Sequence, residues 1–170
     1  MNATDRASIP APQTWEVQPE PAAVGPARHL VVQVARLWSL PLSTDALREV
    51  ELCASELITN AALYTELPFE VTVRWTGERL RIEVADSSLV PPGGDGSPAS
   101  GHGGRGLLLV AELAHAWGWY SQGAGKVVWF EVGSDQPVNF HQRLSVLVDV
   151  AQSRLPAPTG LQRLSNLLPT

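Results

Sequence analysis

Between Ser43 and Asp86 the spacing of apolar residues changes once, and that change limits the folds open to the chain. Leu47, Val50, Cys53, Ala54, Leu57, Ile58, Ala61 and Ala62 recur every three or four residues, as in a helix with one buried stripe. Ser43 or Thr44 can cap its start, Asp45 suits the positive end of the helix dipole, and the pattern runs to about Tyr64, with Pro68 marking the stop. From Phe69 the repeat shortens to every second residue. Phe69, Val71, Val73 and Trp75 alternate with Glu70, Thr72 and Arg74, and after Thr76-Gly77-Glu78 the residues Leu80, Ile82 and Val84 alternate with Arg79, Arg81 and Glu83. This predicts an antiparallel hairpin with one covered face and one wet face.

The flanking segments extend the pattern. Thr14 to Gln18 alternates like a short strand ended by Pro19 and Pro21, and Gly25-Pro26 opens a helix with Ala27, Leu30, Val31, Val34, Leu37 and Trp38 on its apolar face. Ser87 to Gly104 is rich in Gly, Pro and Ser, a long aperiodic loop of the kind that is functional or disordered. A short apolar helix begins near Arg105 and runs through Leu107 to Leu113. Two strands follow, 115–121 and 126–132, joined by Gln122-Gly123-Ala124-Gly125. The expected fold is α+β, a two-layer α/β sandwich with helices on one face of a mainly antiparallel sheet. Residues 1–13 read as a disordered arm, 14–133 as the domain, and 134–170 as a helical tail. In that tail Phe140, Leu144, Leu147, Val148, Ala151 and Leu155 share one helix face, and Leu161, Leu164, Leu167 and Leu168 suggest a second short helix. The tail either packs on the domain's own surface or forms a dimer or partner contact.

Composition excludes several roles. A chain of 170 residues has room for one ordinary domain and a tail at each end, and its net charge of -5 argues against direct nonspecific nucleic-acid binding. Cys53 is the only cysteine, so no intrachain disulfide or cysteine-cluster metal site can form. His29, His102, His115 and His141 lack ligand spacing. The start of the chain lacks the basic and apolar blocks of a signal peptide, and Val24 to Leu42 is broken by Arg28, His29, Arg36 and Pro41. A cytoplasmic protein with no membrane span is expected.

Three features could carry chemistry. Glu56 and Asn60 lie four residues apart and project from one side of the long helix, roughly 6 Å apart. A carboxylate and a carboxamide so placed could hold Mg²⁺ through oxygen and orient a nucleophile; the same spacing also fits two solvated polar residues. Asp86 falls in register with Ile82 and Val84, on the face the helices cover, where a carboxylate is costly without a partner. It could accept a hydrogen bond from the amino group of a base, or bond only to nearby backbone amides. Gly101-His102-Gly103-Gly104-Arg105-Gly106 precedes an apolar helix, so backbone N–H groups, a helix N-terminus and Arg105 could meet a phosphate. It is neither a Walker A loop nor a dinucleotide fingerprint.

In order and spacing these pieces resemble the GHKL (histidine-kinase-like) ATPase superfamily, and within it the anti-sigma factor serine kinase branch, including short actinomycete ATP-binding regulators. Residues 21–28 resemble the lead into the family's first helix, and Ser55-Glu56-Leu57-Ile58-Thr59-Asn60-Ala61 its N box. Val84-Ala85-Asp86-Ser87-Ser88 resembles the first glycine box in its actinomycete form, and residues 103–110 resemble the second. Residues 125–131 resemble the closing strand. The resemblance covers about Trp15 to Val132 and implies a Bergerat-type fold that binds ATP and Mg²⁺. It implies that Asn60 coordinates Mg²⁺, that Glu56 is the base activating a substrate hydroxyl, and that Asp86 bonds the adenine amino group. It further implies that Gly104, Arg105 and Gly106 line the phosphates and that 88–103 form a lid. The implied acceptor is a serine or threonine on an anti-anti-sigma (STAS) protein, and the same surface sequesters a sigma factor, usually as a homodimer. A non-catalytic protein-binding regulator on the same scaffold, nucleotide-gated or nucleotide-free, is the alternative. A detached histidine-kinase catalytic domain fits less well, because nothing upstream resembles a phosphoacceptor helix pair.

The chain departs from the family's pattern at three places. Ser88 stands where the wider superfamily keeps a glycine, Tyr64 where a histidine is frequent, and Val127 where a threonine is common. Losing the threonine hydroxyl removes a bond worth about 1 kcal/mol, roughly fivefold in affinity.

Overall fold

A computed structural model describes residues 9–92 and 103–133. In chain order they form β1 (Gln13–Val17), α1 (Pro21–Leu37), α2 (Thr44–Tyr64), β2 (Phe69–Trp75), β3 (Arg79–Asp86), α3 (Gly103–Leu113), β4 (Ala116–Gln122) and β5 (Gly125–Gly133). The strands make one five-stranded sheet in the order β1-β2-β3-β5-β4, antiparallel at every pairing. The fold is therefore α+β, with the helices on one side of the sheet, as the alternating strands require. Most of the glycine- and proline-rich loop (93–102) and the expected tail helices lie outside the described residues.

Local chemistry explains the element boundaries. Ser43 is the N-cap of α2, and its hydroxyl accepts a bond from the Ala46 N–H at 3.0 Å. Asp45 occupies the first turn, where a negative charge meets the helix dipole favourably. Ser43→Ala should therefore cost about 1 kcal/mol of stability, read as a lower urea midpoint at unchanged slope. The β2–β3 turn is held by Thr76, whose hydroxyl accepts from the Arg79 N–H at 3.0 Å, with Gly77 at φ 100°.

The first helix begins earlier than its sequence pattern suggests. It opens at Pro21, and Pro26 sits inside it. A proline at the first helical position lacks only an N–H that would be unpaired anyway, so Pro21 starts the helix as well as Pro26 could. Its buried face is also rotated: Ala27, Val31, Val32, Val34 and Ala35 are buried, whereas Leu37 is 81 % exposed and Leu30 lies partly in solvent.

The core lies between the layers. Val71, Val73, Leu80, Ile82, Val84, Val128, Phe130 and Val132 point from the three central strands into α2, which supplies Val50, Cys53, Ala54, Leu57 and Ile58. Helix α2 runs between α1 and α3, and α1 covers the β1–β2 side. The other face of the sheet is polar. There Arg81 stacks 3.9 Å from the centre of the Trp129 ring and bonds Glu83 at 2.7 Å and Glu131 at 3.0 Å. Partial burial works against the Arg81 charge, but the bonds and charges of Glu83 and Glu131 outweigh it and raise its pKa.

Candidate functional site

The long helix α2 carries two different faces. One is the buried stripe that seats it on the sheet. Beside that stripe, on the flank turned toward α3, Glu56, Thr59, Asn60, Leu63 and Tyr64 line a cavity of about 240 Å³, closed by Gly106 and Leu107 of α3. The i, i+4 spacing of Glu56 and Asn60 places both side chains at this one cavity. Because α3 leans on α2 here, Gly106 comes directly against the Glu56 carboxylate, and a Cβ at that position would collide with it. Burial raises the pKa of Glu56 above the ordinary glutamate value of 4.5. A carboxyl desolvated in this way is a stronger base once ionised.

The first turn of α3 holds Gly103, Gly104 and Arg105. The backbone N–H groups of such a turn lack helix partners and carry the positive end of the dipole, the arrangement that receives anions. Gly104 and Arg105 are thus placed at the head of the same helix whose Gly106 closes the cavity.

Asp86 ends β3 on the helix-covered face, as the strand alternation requires, and is not among the residues that line the cavity. Its connection to the cavity is indirect. Thr65, the C-cap of α2, bonds the Ser87 hydroxyl at 2.7 Å, so the residue after Asp86 is tied to the residue after Tyr64. Asp86 has its own buried partner. Lys126 lies directly opposite on β5 and donates to Asp86 Oδ1 at 2.8 Å, with the two side chains only 3 % and 2 % exposed. The Ser88 N–H donates to the same oxygen at 2.8 Å.

The structure thus brings Glu56, Asn60 and Gly106 to one cavity and puts Asp86 on the buried face that strand alternation predicts. The sequence does not mark Thr59, Leu63, Tyr64 and Leu107 as cavity walls, nor Lys126 as the partner of Asp86. Helical spacing could have found the α2 residues, since Thr59, Leu63 and Tyr64 are the i+3, i+7 and i+8 neighbours of Glu56. Nothing local marks Lys126; its role appears only once β5 is paired with β3.

Oxygen donors suit a hard cation, and Glu56 and Asn60 bring such donors to one cavity wall. Among the described residues no group of three or more His, Cys, Asp or Glu could hold a metal by itself. A divalent ion here would therefore need water and phosphate oxygens to complete its shell, as Mg²⁺ commonly does. Among the described residues no helix is long and apolar enough to cross a membrane.

A model of the histidine kinase-like ATPase domain matches residues 17–132, from the end of β1 to the end of β5. No curated protein matches the chain.

Proposed function

The chain belongs to the histidine kinase-like ATPase domain family, and from that premise we propose that it is an ATP-binding anti-sigma factor with serine/threonine kinase activity. Its acceptor is a hydroxyl on a STAS-type anti-anti-sigma protein, and its regulatory act is to sequester a sigma factor, as a homodimer in the cytoplasm. The observation that carries this reading is the single cavity shared by Glu56 and Asn60 of α2 and Gly106 of α3.

Each residue has a task. Asn60 would hold Mg²⁺ bound with the triphosphate, which neutralises phosphate charge. The N-terminal turn of α3, with Gly104, Arg105 and Gly106, faces the phosphates. Asp86 accepts from the adenine amino group. Glu56 takes the proton of the acceptor hydroxyl as its oxygen bonds the γ-phosphorus, and ADP leaves with the electrons of the broken P–O bond. The acceptor product is then a phosphoserine or phosphothreonine.

Calorimetry tests the first half. The wild type should bind Mg-ATP at micromolar strength, about -8 kcal/mol, and Asn60→Ala and Asp86→Asn should each weaken binding about tenfold or more. Asparagine is preferable to alanine at position 86, because its carboxamide oxygen can still accept from the buried Lys126 ammonium, whereas alanine leaves that ammonium with neither counter-charge nor acceptor at this position. A wild type that binds no nucleotide overturns the kinase reading.

One observation favours the second reading, a protein-binding regulator that works without nucleotide. Asp86 already accepts two hydrogen bonds from its own chain. Under that reading, capture of a STAS or sigma partner is insensitive both to ATP and to Asp86→Asn.

A further inference from the structure

The buried lysine of β5 has no part in the roles given above, yet it bonds directly to the residue assigned to the base. Lys126 Nζ contacts Asp86 Oδ1 at 2.8 Å and also lies 3.4 Å from the Ser88 carbonyl oxygen. The Ser88 N–H returns to Asp86 Oδ1 at 2.8 Å. One ammonium therefore ties together the carboxylate, the following chain and β5. Further along, the Ser88 hydroxyl accepts from the Val90 N–H at 3.2 Å, so the side chain at 88 is engaged within its own turn.

This geometry has a directional consequence. Both bonds that Asp86 accepts from described residues fall on Oδ1. Two donors from different directions on one oxygen set the plane of the carboxylate and leave Oδ2 to receive a donor from a ligand. The pairing is buried and the bond charge-assisted, so it is short and strongly oriented. A carboxylate with only the Ser88 amide to hold it would be free to turn about its last torsion, which is broad for aspartate.

We propose that Lys126 is a positioning residue for base recognition: it fixes the Asp86 carboxylate so that Oδ2 faces the exocyclic amino group of adenine. This rests on the reading of Asp86 as the adenine acceptor. It accounts for the buried ion pair without making Asp86 unavailable to nucleotide. It also explains how Ser88 is accommodated where the wider superfamily has glycine, since only its backbone meets the pair.

The test is a thermodynamic cycle between the lysine and the base amino group. Binding of ATP and of purine riboside 5′-triphosphate, which carries hydrogen in place of the amino group, is measured for the wild type and for Lys126→Met. The wild type should prefer ATP by about tenfold or more, the worth of one charge-assisted bond. In Lys126→Met that preference should collapse to about threefold or less, with affinity for the purine analogue little changed. A purely structural role would weaken both ligands together and leave the ratio intact, which overturns the proposal. If Lys126→Met does not fold, Lys126→Gln serves: its carboxamide can still donate to Oδ1, so the preference for ATP should be kept, and a preference that collapses in that variant overturns the proposal. A wild type that binds both triphosphates alike removes the Asp86 reading itself. A wild type that prefers ATP beside a Lys126→Met variant with the same preference removes only the role of the lysine.

Discussion

Replacing Glu56 by glutamine is expected to slow phosphotransfer to a protein acceptor by about 10²–10⁴, the usual worth of a positioned general base, while Mg-ATP affinity stays near the wild-type value. Glutamine keeps the shape of the cavity wall that meets Gly106 and retains an oxygen, but it cannot take a proton. The pH dependence follows from the burial of the group. Burial raises the pKa of Glu56 above 4.5, so the base is lost at a higher pH than an ordinary glutamate would be. The acid limb of the wild-type transfer rate should be displaced upward accordingly. The same shift has a stability sign. A carboxyl whose folded pKa is raised contributes stability that is full below its unfolded pKa and lost as pH rises through the folded value. At neutral pH, Glu56→Gln should therefore unfold at a urea concentration no lower than the wild type. Wild-type transfer rates in this variant would remove Glu56 as the base; a loss of rate together with a loss of stability would make its role structural.

Gly125→Ala should be the most damaging single substitution in the sheet. At the start of β5 the backbone passes so close to β3 that a Cβ on Gly125 would run into the carbonyl oxygen of Asp86. The neighbour is main chain, paired in register between β3 and β5, and cannot turn aside. The glycine at 106 is different, because there the colliding group is the end of the Glu56 side chain. Relieving the clash at 125 means separating the strands at the Asp86–Lys126 pair, which is buried and loses its geometry as they part. The expected cost is about 3 kcal/mol or more, the upper end for overpacking, read as a large drop in thermal midpoint with loss of Mg-ATP binding in whatever remains folded. A variant with wild-type stability would show that the strands separate without penalty.

The parts of the molecule that were legible in its sequence are those governed by near neighbours. The period change at Pro68 marked α2 and the β2–β3 hairpin almost to the residue, and alternation alone put Asp86 on the covered face. Helix α1 is harder to bound, because Pro21, which reads as the end of the first strand, satisfies the same first-turn rule as Pro26 and is where the helix begins. Leu30 and Leu37 fit a helical stripe on paper, but the helix is turned so that Val32 and Ala35 meet the core in their place. Glu56 and Asn60 could be paired because four residues on a helix is one turn. Lys126 could not be paired with Asp86, since the two are forty positions apart in the chain and their meeting depends on β5 inserting next to β3.

The strand order also bears on how the chain reaches this state. Two of the four strand pairings close a long loop: β1 with β2, where Gln13 pairs with Val73, and β3 with β5, where Asp86 pairs with Lys126. The β2–β3 and β4–β5 hairpins and the α1–α2 pair are the most extensive contacts between segments adjacent in sequence. Loop closure must be met before distant contacts repay it, so a topology of this kind folds more slowly than a helical bundle of the same length. The buried Asp86–Lys126 pair straddles one of those long closures. A newly made chain can therefore complete it only after the β4–β5 hairpin has been synthesised and has docked.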